Sequence, residues 1–190
     1  MRAKARAAGI DLVRREVAQG LSVYVPEDPD GILETLSEEE FRRSDERMPY
    51  FATLWPAGLS LAEAVLAGGT LDGSRVLDLG CGVGAVGLAA AHRGARVTFL
   101  DWEPRSLEIV RLAAEAQGLE PEALVAADWR APPPLDPFDL VLAADVLYEA
   151  RNVPSVIGFL RAHLSPGGEA WITDPGRDPA EGFLDAAESA

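Results

Sequence analysis

The stretch RVLDLGCGVGAVGLAA, Arg75 to Ala90, holds two overlapping glycine patterns. Read from Gly82 it is G-x-G-x-x-G, with glycines at 82, 84 and 87. Read from Asp78 it is D-x-G-x-G-x-G, an acid followed by glycines at 80, 82 and 84. In both registers the chain must turn sharply after an apolar run of strand length and come close to a ligand, which is why glycine is needed. The glycines alone do not say which ligand.

Working outward, apolar runs at RVLDL, RVTFL, ALVAA, FDLVLAA and EAWIT alternate with helical stretches that start near Gly84, Pro104, Asn152 and Pro179. Strand and helix alternating at this pace predict an α/β chain, a doubly wound and mostly parallel sheet with ligands at the carboxyl ends of its strands. Upstream, LVRREVAQGLSVYVPED predicts a hairpin around Gln19-Gly20, and Ser37 to Glu40 has capping-box spacing for a short helix. SLAEAVLAG, from about Leu59, predicts a helix that ends at Gly68-Gly69. The expected organisation is one domain over 1–190, with an N-terminal hairpin and helix extension over 1–70 and a ligand-binding core over 75–190.

Asp78 separates the two registers. It ends the first core strand beside the place where a pyrophosphate would lie, and two like charges ~4 Å apart cost roughly 4 kcal/mol at an effective dielectric near 20. S-adenosylmethionine has no phosphate but carries a sulfonium and an amino group, so an acid at this position attracts it. Asp101 closes RVTFLD, where a carboxylate can accept from both ribose hydroxyls. Asp128 follows ALVAA, where an acid can accept from an adenine amino group while Trp129 lines the ring's pocket. Each alone also reads as a turn or cap residue. Three acids at successive strand ends favour the adenosine reading.

Composition narrows the rest. The chain has 190 residues, is 48% hydrophobic and carries a formal charge of −14. Such a balance repels nucleic acid on average and draws cationic partners, although ordinary solubilising charge reads the same way. No apolar run approaches the ~20 residues that span a bilayer, and MRAKARAAGI lacks the core of an export signal. A single cysteine, Cys81, excludes an internal disulfide and a cysteine-cluster metal site, which fits a reducing cytoplasm. His92 and His163 fall on predicted helices away from strand ends, and Trp171 alternates inward on the fifth core strand.

With these residues in place, the chain resembles the seven-β-strand S-adenosylmethionine-dependent methyltransferases, a Rossmann-like fold. MPYFATLWPAG at 48–58, ADVLYE at 144–149 and DPGR at 174–177 narrow the resemblance. They resemble the lysine methyltransferase branch that modifies the β subunit of electron-transfer flavoprotein, and bacterial chains described as nicotinamide N-methyltransferase-like. The resemblance implies strand order 3-2-1-4-5, S-adenosyl-L-methionine as cofactor and S-adenosyl-L-homocysteine as product, and no metal. It puts Asp145 and Tyr148 at the catalytic end, facing the acceptor nitrogen, and Trp55 over the methionine end of the cofactor. Gly80, Gly82, Gly84, Trp102 and Ala144 join Asp78, Asp101, Asp128 and Trp129 on the cofactor side. Members of the class continue through a further antiparallel hairpin, strands six and seven, for which this sequence shows no counterpart.

Methyl transfer asks mainly that the acceptor be held in line behind the methyl. Asp145 would orient an amine, with the drawback that an anion also stabilises the protonated, non-nucleophilic form. Arg177 of DPGR could touch substrate, yet Asp-Pro-Gly is equally a turn signal. The implied function is N-methyl transfer to lysines of a protein partner, with no nucleic acid or membrane involved. The alternatives are a small-molecule N-methyltransferase of nicotinamide type, a module that holds the cofactor without transferring methyl, and, in the other glycine register, a dehydrogenase.

Overall fold

The computed structural model describes residues 4–18, 20–28, 31–32 and 50–188. Five strands build one parallel sheet: β4 (Arg75–Leu79), β5 (Arg96–Asp101), β6 (Ala123–Ala126), β7 (Phe138–Ala144) and β8 (Leu164–Thr173). Their spatial order is β6-β5-β4-β7-β8, which is 3-2-1-4-5 in the sheet's own count. The order reverses between β4 and its neighbours β5 and β7, so the turns leaving β4 and β7 open a crevice at the switch point.

Alternation along the strands divides the core. Val76, Val97, Phe99, Leu140 and Leu142 face one side, where they meet α1 (Pro56–Ala67), α2 (Ala85–His92) and α3 (Pro104–Glu115). Leu77, Leu79, Leu100, Val141 and Ala143 face the other, under α4 (Asn152–His163) and α5 (Phe183–Glu188). A residue at every second strand position therefore points toward α2, and Asp78 occupies one of them, its carboxylate accepting the Gly87 N–H at 2.8 Å.

The expected hairpin is present as β2 (Ile10–Ala18) and β3 (Leu21–Pro26), joined by a third strand that the sequence reading missed, β1 (Lys4–Ala7). KARA is short and half exposed, so it has no apolar signature of its own. All six residues of β3 are buried, and Gln117, just past α3, ties the sheet to the core. Its amide takes the Ser22 N–H at 2.9 Å and donates to the Ser22 carbonyl at 2.8 Å.

Three boundaries differ from expectation. Helix α1 starts three residues early, because Pro56 is pre-shaped for the first helical position after extended Trp55. Strand β8 begins at Leu164 rather than Glu169. The SPGG stretch at 165–168 makes a register break inside the strand, with Phe138 opposite Leu164 and Leu140 opposite Glu169. The helix expected near Pro179 is one 3-10 turn (Asp178–Ala180) followed by α5, with left-handed Gly182 (φ +79°) before it. The helix expected at Ser37 to Glu40 lies outside the described residues.

Candidate active site

A cavity of about 470 Å³ opens where the turns after β4, β5, β6 and β7 converge. Its floor is the turn after β4. Gly80, Gly82 and Gly84 all have positive φ (+68°, +51° and +78°), and a Cβ at Gly80 would sit 2.9 Å from the Trp129 ring. The Gly80 and Cys81 N–H groups both donate to the Leu100 carbonyl, at 2.8 and 3.1 Å, which pins the turn to β5. Gly84 does not line the cavity. It precedes α2, where a Cβ would meet Val110 at 2.7 Å, so its role is close packing of helix on helix.

Two buried acids line the floor. Asp78 is 2% exposed, and burial pushes its carboxyl up to about 7, offset by the Gly87 hydrogen bond and reinforced by nearby Asp101. Asp101 is pushed up to about 6 by burial, against the Glu103 and Gly82 N–H groups that it accepts at 2.9 Å each. Those bonds fix the carboxylate and leave further lone pairs, since each oxygen can accept twice. Both acids are poised to ionise when a cation or hydroxyl donors arrive. Cys81 lies between them; its thiol is buried, 3.6 Å from the Ser106 hydroxyl, and burial with Asp101 and Asp78 raises it well above the usual thiol range.

The walls come from three places. Trp102 follows Asp101, and Trp129 follows Asp128. The turn after β6 contributes Trp129, buried with its indole N–H unpartnered among the described residues, whereas Asp128 does not line the cavity and its carboxylate takes Arg130 at 2.8 and 2.9 Å. The third wall is the segment before α1. Trp55 donates its indole N–H to the Tyr50 carbonyl at 3.0 Å, and the Tyr50 ring packs edge-on to Trp55 (5.8 Å) and tilted against Tyr148 (6.1 Å). A Cβ at Gly82 would stand 3.2 Å from the Phe51 carbonyl, so this segment lies over the glycine turn.

The far end belongs to the turn after β7. Ala144, Asp145, Val146 and Tyr148 line it, with Arg177 entering from beyond β8. Asp145 has φ +58°, unusual for a residue with a side chain, and its N–H donates to the Thr173 carbonyl at 2.9 Å. Arg177 Nη1 lies 2.5 Å from Asp145 Oδ1, while Asp145 Oδ2 is buried without a partner among the described residues. Among the site residues expected from sequence, all but Gly84 and Asp128 share this one cavity. Tyr50, Phe51 and Glu149 were missed. Tyr50 and Phe51 sit inside the quoted MPYFATLWPAG, where an aromatic pair ahead of Trp55 was the available signal. No cluster of three or more metal-ligating side chains occurs among the described residues, and no helix there is long and apolar enough to cross a membrane.

These residues suit S-adenosylmethionine. The glycine turn leaves room for a ligand against the backbone, two buried acids can ionise beside a cation, and a buried indole N–H waits for an acceptor. Comparison with known proteins agrees. Residues 76–168 match the methyltransferase domain family. The electron transfer flavoprotein beta subunit lysine methyltransferase of Xenopus laevis is 34% identical over 137 residues, 68% of this chain and 53% of that protein. The ubiquinone biosynthesis O-methyltransferase of Aeromonas salmonicida is 34% identical over 112 residues, 58% of this chain and 47% of that protein. The chain spans about half the length of these curated relatives. Among solved structures, the N-methyltransferase NodS of Bradyrhizobium japonicum aligns over 82% of this chain and 85% of its own, with TM-score 0.56 and 22% identity. A 16S rRNA methyltransferase of T. thermophilus, solved with AdoMet and guanosine, aligns over 98% of this chain and 45% of its own, with TM-score 0.61 and 22% identity. The last two likenesses speak to the fold, and with the matched domain and the glycine-acid cavity they lead to one conclusion: the chain belongs to the class I S-adenosylmethionine-dependent methyltransferases.

Proposed function

We propose that this chain catalyses N-methyl transfer from S-adenosylmethionine to lysine side chains of a protein, with the β subunit of electron-transfer flavoprotein as first candidate. When bound, the cofactor supplies an electrophilic methyl on a sulfonium. The observation that carries the reading is Asp145 Oδ2, a buried acceptor without a partner among the described residues, in the same cavity as the glycine turn. An acceptor at this position is useful to a nitrogen that keeps a hydrogen while its lone pair attacks.

In this reading Gly80 and Gly82 admit the cofactor backbone, Asp78 holds its cationic methionine end, Asp101 takes the ribose hydroxyls and Trp129 borders the base. Trp55 and Tyr148 wall the approach of the acceptor, and Asp145 fixes its angle. Positioning of this kind is worth several orders of magnitude in rate when the reacting atoms are held in line. The lysine methyltransferase relative and the acidic balance of −14 support a lysine-bearing partner.

The O-methyltransferase relatives favour a second reading, a small-molecule acceptor that enters the same cavity. Mass spectrometry separates the two. The flavoprotein β subunit and a panel of small amines and phenols are each incubated with cofactor and wild-type chain, Asp145→Ala chain or no chain. Methylated lysine with the wild type alone supports the proposal. Methylation confined to a small molecule replaces it with the second reading.

A further inference from the structure

Asp145 and Arg177 form more than a turn. The guanidinium nitrogen that lies 2.5 Å from Asp145 Oδ1 also reaches Asp174 Oδ2 at 3.0 Å. Asp174 Oδ1 accepts the N–H groups of Gly176 and Arg177 at 2.8 Å each, so the DPGR turn is folded around Asp174 in the shape that delivers Arg177 to Asp145. The carboxylates are 8% and 9% exposed, and Arg177 is the one basic residue lining the cavity among the described residues. The other charged groups at the cavity are Glu149, paired with Arg151, and the floor acids Asp78 and Asp101.

A bare carboxylate beside the acceptor would favour an ammonium, whose lone pair is occupied by a proton. The guanidinium is shared with Asp174, so the three groups together keep one negative charge, but Asp174 does not line the cavity. Within the cavity the Arg177 cation offsets the Asp145 charge at short range while Oδ2 stays available as a hydrogen-bond acceptor. We infer that Arg177 is the resident counter-cation of the acceptor end and a specificity-determining residue. It disfavours a charged ammonium there and leaves Asp145 Oδ2 to take an N–H of the uncharged, nucleophilic amine. The inference rests on the N-methyl transfer reading and deepens it: the preferred acceptor is an amine in its free-base form.

The test needs no identified substrate. Sinefungin carries a protonated amine on carbon where S-adenosylmethionine carries its methylsulfonium, and S-adenosylhomocysteine is neutral at the same point. Calorimetry on the full chain gives the ratio of their affinities, sinefungin over S-adenosylhomocysteine. Arg177→Gln is expected to raise that ratio about tenfold, Arg177→Lys to leave it within about threefold of wild type, and Asp145→Asn to lower it about tenfold. A purely structural Arg177 would lower the melting temperature and both affinities together without moving the ratio, and that result overturns the inference, as does Lys behaving like Gln. If Arg177→Gln does not fold, Asp145→Asn decides: an unchanged or raised ratio overturns the inference. Failure of S-adenosylhomocysteine to bind the wild type would instead remove the cofactor reading, and with it this one.

Discussion

After β4 the chain enters the left-handed region three times within five residues, at Gly80, Gly82 and Gly84, whereas after β7 it does so at Asp145. Both turns face one cavity. The first uses residues that adopt positive φ with little penalty, so that the backbone at Gly80 and Gly82 lines the cavity without side chains while Gly84 lets α2 pack closely on α3. The second holds a side chain in a conformation that costs roughly 1–2 kcal/mol and aims a carboxylate in return. A turn that must make room and a turn that must present a group have different solutions, and the difference predicts different failures on mutation.

The comparison breaks most severely at Gly84→Val. A branched side chain at φ +78°, with Val110 only 2.7 Å from the new Cβ, is expected to cost about 3 kcal/mol of stability, read as a loss of denaturant midpoint. Next is Asp145→Ala, which should lower turnover about a hundredfold while S-adenosylhomocysteine affinity changes less than about threefold. Equal losses in both would place Asp145 on the cofactor side.

Asp101→Ala should act in the opposite sense, on affinity. Loss of a charged acceptor for the ribose is worth roughly 1.5–3 kcal/mol, about tenfold or more in the dissociation constant by calorimetry.

The floor acids add a pH dependence. Asp78 and Asp101 stand at about 7 and about 6 against an ordinary 3.8, so in the ligand-free chain they hold protons that the unfolded chain has lost. Stability without ligand therefore falls as pH rises through that window, and the cost is complete above the folded values. A cationic ligand favours the ionised carboxylates and releases their protons. Affinity for S-adenosylmethionine should rise about tenfold from pH 5 to pH 8, with proton release on binding, and Asp78→Asn should flatten the rise. Affinity independent of pH would mean that the acids do not face the cation.

The smallest effect sharpens the comparison directly. Asp145→Gly gives the β7 turn the residue that the β4 turn uses, and should be more stable than Asp145→Ala by about 1 kcal/mol while remaining equally inactive. Thermal melts of the two variants decide it.

What the sequence made legible follows the same division. RVLDLGCGVG was readable because a glycine turn after an apolar strand is a local pattern, and the strand ends of β5 and β7 could be found by counting. The pairing of Arg177 with Asp145 was not readable. It joins residues 32 apart, brought together because β7 and β8 are neighbours in register, Ala144 opposite Thr173. Asp128 is expected at the ligand from its strand-end position; in the structure Arg130, two residues on, pairs with its carboxylate, a contact between near neighbours that strand position alone does not show. KARA at β1 was invisible for another reason: a strand of four residues at the margin of a small sheet is specified by its partner, with Lys4 to Ala7 matched to Val13 to Ile10.

Cys81 gives the glycine turn a chemical clock. It is the sole cysteine of the chain, a largely buried residue in the cavity floor with a thiol that resists ionisation, so an alkylating reagent must approach through the cavity and reacts slowly. A ligand seated on that floor covers the thiol and slows the clock in proportion to its occupancy. One unmodified side chain thus converts occupancy of the cavity into a rate that can be followed without a substrate.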